Sequence, residues 1–150
     1  MMPAAEIRYF ETSSAVRLLG ERLIGACLPR AEWTHEAHVA ACLWLITERP
    51  DLDAAHELPG IIRRHNESVG TPNTDAQGFH ATITHCYAVG VAAFVRRIHP
   101  ALALVDKVNA LLDAPESARD WPLRFYSRER LFSVEARRAV ILPDVARLPG

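Results

Sequence analysis

From residue 37 to residue 47 the chain runs without an Asp, Glu, Lys or Arg. Thr34 stands ahead of this stretch as a good N-cap, and Pro50 follows Arg49 at its far end. The span is too long for an ordinary strand. A helix that is uncharged on almost every side must be enclosed by other elements, so this segment calls for a core built around it.

The rest of the chain supplies helical neighbours, since no run of alternating residues reads as a strand. Val16, Leu19, Leu23 and Ile24 share one face of a helix expected over residues 14–27, with Ser13 or Ser14 as N-cap and Pro29 just beyond. A third helix is expected over residues 53–69, kinked or broken at Pro59-Gly60, with Gly70 in the left-handed position past its end. Residues 71–78 form a turn-rich loop. A fourth helix follows over residues 79–98, whose Ala81, Ala88, Gly90, Ala92 and Ala93 let neighbouring backbones approach. Pro100 suits the first turn of a fifth helix ending near Leu112. Two short helices after Asp120 and an extended tail after Pro143 complete the chain. The expected fold is all-α, a single-domain antiparallel bundle over residues 1–150 with about five main helices and short C-terminal ones.

Composition narrows the function classes. Apolar residues make up 49% of the chain, enough to offset the entropy of ordering it, so disorder is not expected. The formal net charge of -1 gives no global field toward nucleic acid or an anionic membrane, and neither is expected as a partner. Residues 76–95 also lack formal charge, but Gln77, His80, Thr82, Thr84 and His85 leave too short an apolar run to cross ~30 Å of hydrocarbon. Three unpaired cysteines, Cys27, Cys42 and Cys86, and a start without a basic or apolar leader point to the cytoplasm. There is no Cys-x-x-Cys, no phosphate-cradling glycine loop and no Gly-x-Ser-x-Gly elbow.

Short connections make successive helices antiparallel neighbours. The start of the second helix, the end of the third and the start of the fourth then share one end of the bundle. That end gathers His35, Glu36 and His38, then His65, Asn66 and Glu67, then Asn73 and Asp75, and finally His80 and Thr84.

His35 and His38 are one turn apart on one face and can offer two nitrogens to a single metal. His80 could add a third and leave an open position for water on zinc, iron or manganese. Asp75 or Glu36 could then act as base, fourth ligand or partner to a ligand. The bland alternative is a hydrogen-bonded polar cluster that fixes the loop, and another is a ligand pocket without metal. His85 lies about 140° around its helix from His80 and faces elsewhere. His56 and His99 read as surface residues. Cys42, one turn beyond His38, reads as a small buried hydrophobe.

The C-terminal region from residue 119 to 138 is locally basic, with Arg124, Arg128, Arg130, Arg137 and Arg138 beside Trp121 and Tyr126. Such residues could hold a substrate carboxylate or phosphate, although interleaved Asp120, Glu129 and Glu135 favour a salt-bridged surface. If the aromatic run 121–126 straps across the histidine end, Arg124 and Tyr126 join the pocket, with Arg128 steering an anion.

Three blocks carry a resemblance: EWTHEAH (residues 32–38), GTPNTDAQGFHATIT (70–84) and WPLRFYSRERLFSVEARR (121–138). The chain resembles a family of small bacterial all-helical proteins to which no activity is assigned, so the resemblance implies no reaction. It implies that the three blocks work as one unit. It also implies Glu after the histidine of the second block, where this chain has Ala81.

Three functions follow from these readings. The first is a small metal-dependent hydrolase-like enzyme, with His35, His38 and His80 as ligands. The second is a non-catalytic module that binds a small molecule in the same pocket and pairs as a homodimer. The third is an interaction protein whose polar cluster only anchors the loop.

Overall fold

The computed structural model describes residues 6–150. The first five residues, which include most of the chain start read above for a leader, lie outside the described residues. The described chain is helical, with no strand among the described residues.

Helix α1 spans Ser13–Ile24 and α2 spans His35–Glu48. Thr34 caps α2 as expected, its hydroxyl accepting from the Ala37 N–H. For α1 the cap is Thr12 rather than Ser13 or Ser14. Three hydroxyl residues in a row can each cap, and the tertiary partner decides: Ser13 Oγ instead accepts from Val105 N at 3.0 Å. α2 is buried almost all round, with every residue from Val39 to Leu45 in the core. It packs against α1, α3 (Ala54–Ser68), α4 (Ala81–Arg97) and α5 (Leu104–Leu112), the enclosure its uncharged sequence demands. At the α1 contact, a Cβ on Gly20 would lie 2.3 Å from the Trp44 ring, so only glycine permits that approach.

α3 is one continuous helix through Pro59-Gly60 and is not broken in two there. Pro59 deprives the Ala55 carbonyl of one helical bond, but the face bearing Leu58, Ile61, Ile62 and His65 is buried, and that packing outweighs one lost bond. Gly70 does take the left-handed conformation, at φ 77°.

The start of α4 differs by two residues from expectation, because His80 is its N-cap and not part of the helix. α5 begins at Leu104, four residues beyond Pro100. His99 organises a turn there instead, accepting from Ala101 N through Nδ1 and from Leu102 N through its carbonyl.

Two short helices, α6 (Arg128–Leu131) and α7 (Val134–Arg138), follow 3-10 turns at Pro115–Ser117 and Trp121–Arg124. Trp121, Phe125, Tyr126 and Leu131 form a second core cluster with Cys86 of α4. A Cβ on Gly90 would meet Trp121 Nε1 at 2.7 Å, and that indole donates to the Cys86 carbonyl at 3.0 Å. The tail is stitched back by Tyr126 Oη donating to Ile141 O and Thr82 Oγ1 donating to Ala139 O. Together these contacts set α7 beside the start of α4. No helix among the described residues is long and apolar enough to cross a membrane.

Candidate functional site

A cleft opens where α2 begins, α3 ends and α4 begins. One chamber, of about 380 Å³, is largely apolar: Trp33, Val39, Cys42, Leu58, Ile62 and Ile83 form most of its wall. His35, His38, Thr84, Tyr87 and Arg119 supply its polar edge. A second chamber of about 520 Å³ adjoins it and shares Trp33, His38, Ile62, Ile83 and Thr84. The second is the more polar of the two, with Arg30, His65, Asn66, Thr71, His80 and Arg137 beside Val69 and Phe79. Residues from all three sequence blocks line this chamber: Trp33 and His38, then Thr71, His80 and Thr84, then Arg137.

Four imidazoles around the cleft are fixed in the same way. Each points one ring nitrogen at a backbone carbonyl, so that nitrogen must carry the proton. His35 Nε2 donates to Ser117 O at 2.5 Å and His38 Nδ1 to Thr34 O at 2.7 Å. His65 Nε2 donates to Leu28 O at 3.1 Å, and His80 Nε2 to Leu131 O at 2.8 Å. The four rings differ in what their other nitrogen does. His80 Nδ1 accepts from Ile83 N at 3.1 Å, so that ring is fully engaged as cap and strap anchor. His65 is fully buried and its Nδ1 has no partner. His35 Nδ1 and His38 Nε2 form no hydrogen bond among the described residues.

His38 holds the central place, since it lines both chambers. Its ring stacks on Trp33, which also tilts against His65 at 5.1 Å. The protein packed around His38 desolvates its cation and lowers its pKa from 6.5 to about 4, with the Thr34 carbonyl opposing and His35 and His65 adding repulsion. The side chain is nonetheless open to water within the cleft. Solvent there softens the desolvation without reversing its direction, so the imidazole is neutral at pH 7. His80 is shifted downward too, first by burial and then by nearby Arg137, against the Leu131 hydrogen bond. Cys42 carries a neutral thiol, its pKa pushed up to about 12 by burial, and serves as apolar wall.

The remaining residues singled out in the sequence fall in different places. Thr84 lines both chambers. Glu36 is buried, with Oε1 3.8 Å from Arg119 Nη2 and Oε2 without a partner; it lines a neighbouring cavity with His35, Ser117 and Arg119. Asp75 is exposed and held in a two-pronged pair by Arg138 at 2.8 and 2.6 Å, outside the cleft. Tyr126 is buried in the second core cluster, Arg124 lies over the Trp121 ring and Arg128 over Phe132, so none of these three lines either chamber. His85 faces a separate small cavity with Arg63 and Phe79. Among the described residues no three His, Cys, Asp or Glu side chains are grouped to hold a metal ion. His80 in particular would have to give up its Leu131 and Ile83 bonds to become a ligand.

Trp33, Arg30 and Tyr87 were not signalled by sequence. Trp33 lay inside the first block, and its place directly before the Thr34 cap was the clue that could have found it. Arg137 stood within the basic region but was not separable from Arg138 by pattern. No family model, curated protein or solved structure matches this chain.

Proposed function

We propose that the protein binds a small organic molecule in the cleft between α2, α3 and α4, with His38 as a neutral hydrogen-bond acceptor at its centre. The observation that carries this reading is the fixed tautomer of His38: Nδ1 is tied to Thr34 O, leaving the lone pair of Nε2 for a ligand. Each chamber lies within the roughly 300–1,000 Å³ common for small-molecule sites, and an apolar wall with a few oriented polar groups is the usual chemistry of such sites. A base working at pH 7 is best matched by a pKa near 7. With its pKa lowered by desolvation, His38 is suited to accept a hydrogen bond more than to shuttle protons, which favours binding over acid–base catalysis.

The test is a titration of the ¹⁵N-labelled protein with a library of small organic fragments. Trp33, Trp44 and Trp121 give three indole N–H signals, assigned by single Trp→Phe substitutions. Fragments that bind should move the Trp33 signal and leave those of Trp44 and Trp121 in place, and His38→Ala should weaken them. A library that never moves Trp33 would remove the reading.

A second reading is metal-assisted hydrolysis on zinc, iron or manganese. It has one observation in its favour: His35 Nδ1 and His38 Nε2 are unengaged and come from residues one turn apart. Elemental analysis of the untagged protein beside His35→Ala/His38→Ala decides it. Stoichiometric metal lost in the variant supports it, and no metal in either after reconstitution removes it.

A further inference from the structure

The polar chamber has no Asp or Glu in its wall, yet two guanidinium groups enter it. Arg30 comes from the 3-10 turn Arg30–Glu32 before α2, and Arg137 from α7. Arg30 donates to Thr71 Oγ1 at 2.7 Å. Arg137 donates through Nη1 to the carbonyls of Gly78 and Phe79 at 3.0 and 3.4 Å. Neither forms an ion pair among the described residues. A guanidinium has five N–H donors, so each keeps most of its donors for another partner. Glu32, two residues from Arg30, is paired with Arg22, and Asp75, whose carboxylate also feels the charge of Arg137, is paired with Arg138.

The neighbouring chamber is more apolar: Val39, Cys42 and Leu58 add to the shared Trp33, Ile62 and Ile83, with Arg119, near the Glu36 carboxylate, at its edge. The two spaces share Trp33, His38, Ile62, Ile83 and Thr84, of which His38 and Thr84 carry the polar groups at the junction. A cleft wall of one charge sign concentrates the opposite sign, and planar guanidinium groups match carboxylate and phosphate oxygens. An apolar wall beside it favours a ligand that carries hydrocarbon on the same molecule.

Resting on the reading of the cleft as a small-molecule site, we infer that its ligand is an amphiphilic anion, with an apolar body in the first chamber and a carboxylate or phosphate held by Arg30 and Arg137 in the second.

Titration calorimetry on the full chain tests this with four probes that share one tail: octanoate, octyl phosphate, octan-1-ol and octylammonium. At least one of the two anions should bind more tightly than the alcohol, and octylammonium weakest of all. The better anion names the head group. Arg30→Gln and Arg137→Gln should each weaken that anion on the order of tenfold, the usual effect of losing one charge-assisted hydrogen bond, and leave octanol unchanged. Arg137 also supports the loop through Gly78 and Phe79, so Arg30→Gln, at an exposed residue, is the decisive variant. Equal binding of alcohol and anion, or an Arg30→Gln protein that binds the anion as before, overturns the inference and leaves the cleft reading standing. If none of the four binds, the inference fails, and the fragment titration alone decides whether the cleft is a site.

Discussion

Trp33 stacks on His38 with ring centroids 3.6 Å apart and planes 28° from parallel, so the residue that ends the turn before α2 covers the imidazole that lines both chambers. The contact ties the shape of the cleft to the protonation of its central residue. It removes one face of the ring from water, which disfavours the cation.

Trp33→Ala should therefore raise the His38 pKa from about 4 toward the ordinary 6.5. The titration of the His38 ring protons by NMR measures it directly. A variant whose His38 titrates as in the parent would show that the stacked indole contributes nothing to the desolvation.

Stability should fall with acid in a window set by the histidines. His38 and His80 both have folded pKa values below 6.5, so the unfolded chain binds more protons between that value and the folded ones. Their contribution is complete above about 6.5 and is lost as pH falls toward about 4. The carboxylates of Asp51, Asp75, Glu116 and Asp144, lowered by hydrogen bonds from Arg49, Arg138, Arg97 and Ser127 respectively, act at still lower pH. Urea midpoints at pH 7, 6, 5 and 4 should decline, and His38→Asn should flatten the decline. A midpoint that rises between pH 7 and 5 would contradict the assignment.

His80→Ala should cost about 1–3 kcal/mol, from a lost helix cap and an unpaired Leu131 carbonyl. Because the ring joins α4 to the end of α6, amide exchange should accelerate at both places. An unchanged denaturation midpoint would mean that His80 does not anchor this end of the bundle.

Gly90→Ala sets two effects against each other. Alanine is the better helix former by about 1 kcal/mol, but its Cβ would press on Trp121 at 2.7 to 3.0 Å, and overpacking costs roughly 1–3 kcal/mol. The rigid indole, bound to the Cys86 carbonyl, has little room to give, so a net loss on the order of 1 kcal/mol is expected. A more stable variant would show that Trp121 can move.

Much of the bundle was legible because the signals were strong and local. The uncharged stretch of α2, its Thr34 cap and the left-handed Gly70 each rest on one dominant effect. Short connections were enough to bring His38, His65 and His80 to one end. The starts of α1, α4 and α5 were less legible. A cap competes with neighbours of equal propensity, as in Thr12-Ser13-Ser14, and histidine is not a usual cap, so His80 read as the helix itself. The site suffered from the same limit at the level of side chains. Arg137 and Arg138 are adjacent on a short helix, yet one turns to the Gly78 and Phe79 carbonyls while its neighbour pairs with exposed Asp75. Periodicity cannot separate them, because the packing of α7 on α4 decides which faces inward.

The most direct measurement is the long-range ¹H–¹⁵N spectrum of the histidine side chains at pH 7, with and without a saturating fragment or octyl probe. The predicted result is His38 as the Nδ1–H tautomer, its unprotonated Nε2 resonance moving on ligand addition while both His80 nitrogens stay fixed. A protonated His38 Nε2 in the free protein, or a bound ligand that leaves the His38 resonances where they were, would contradict the role given to this residue.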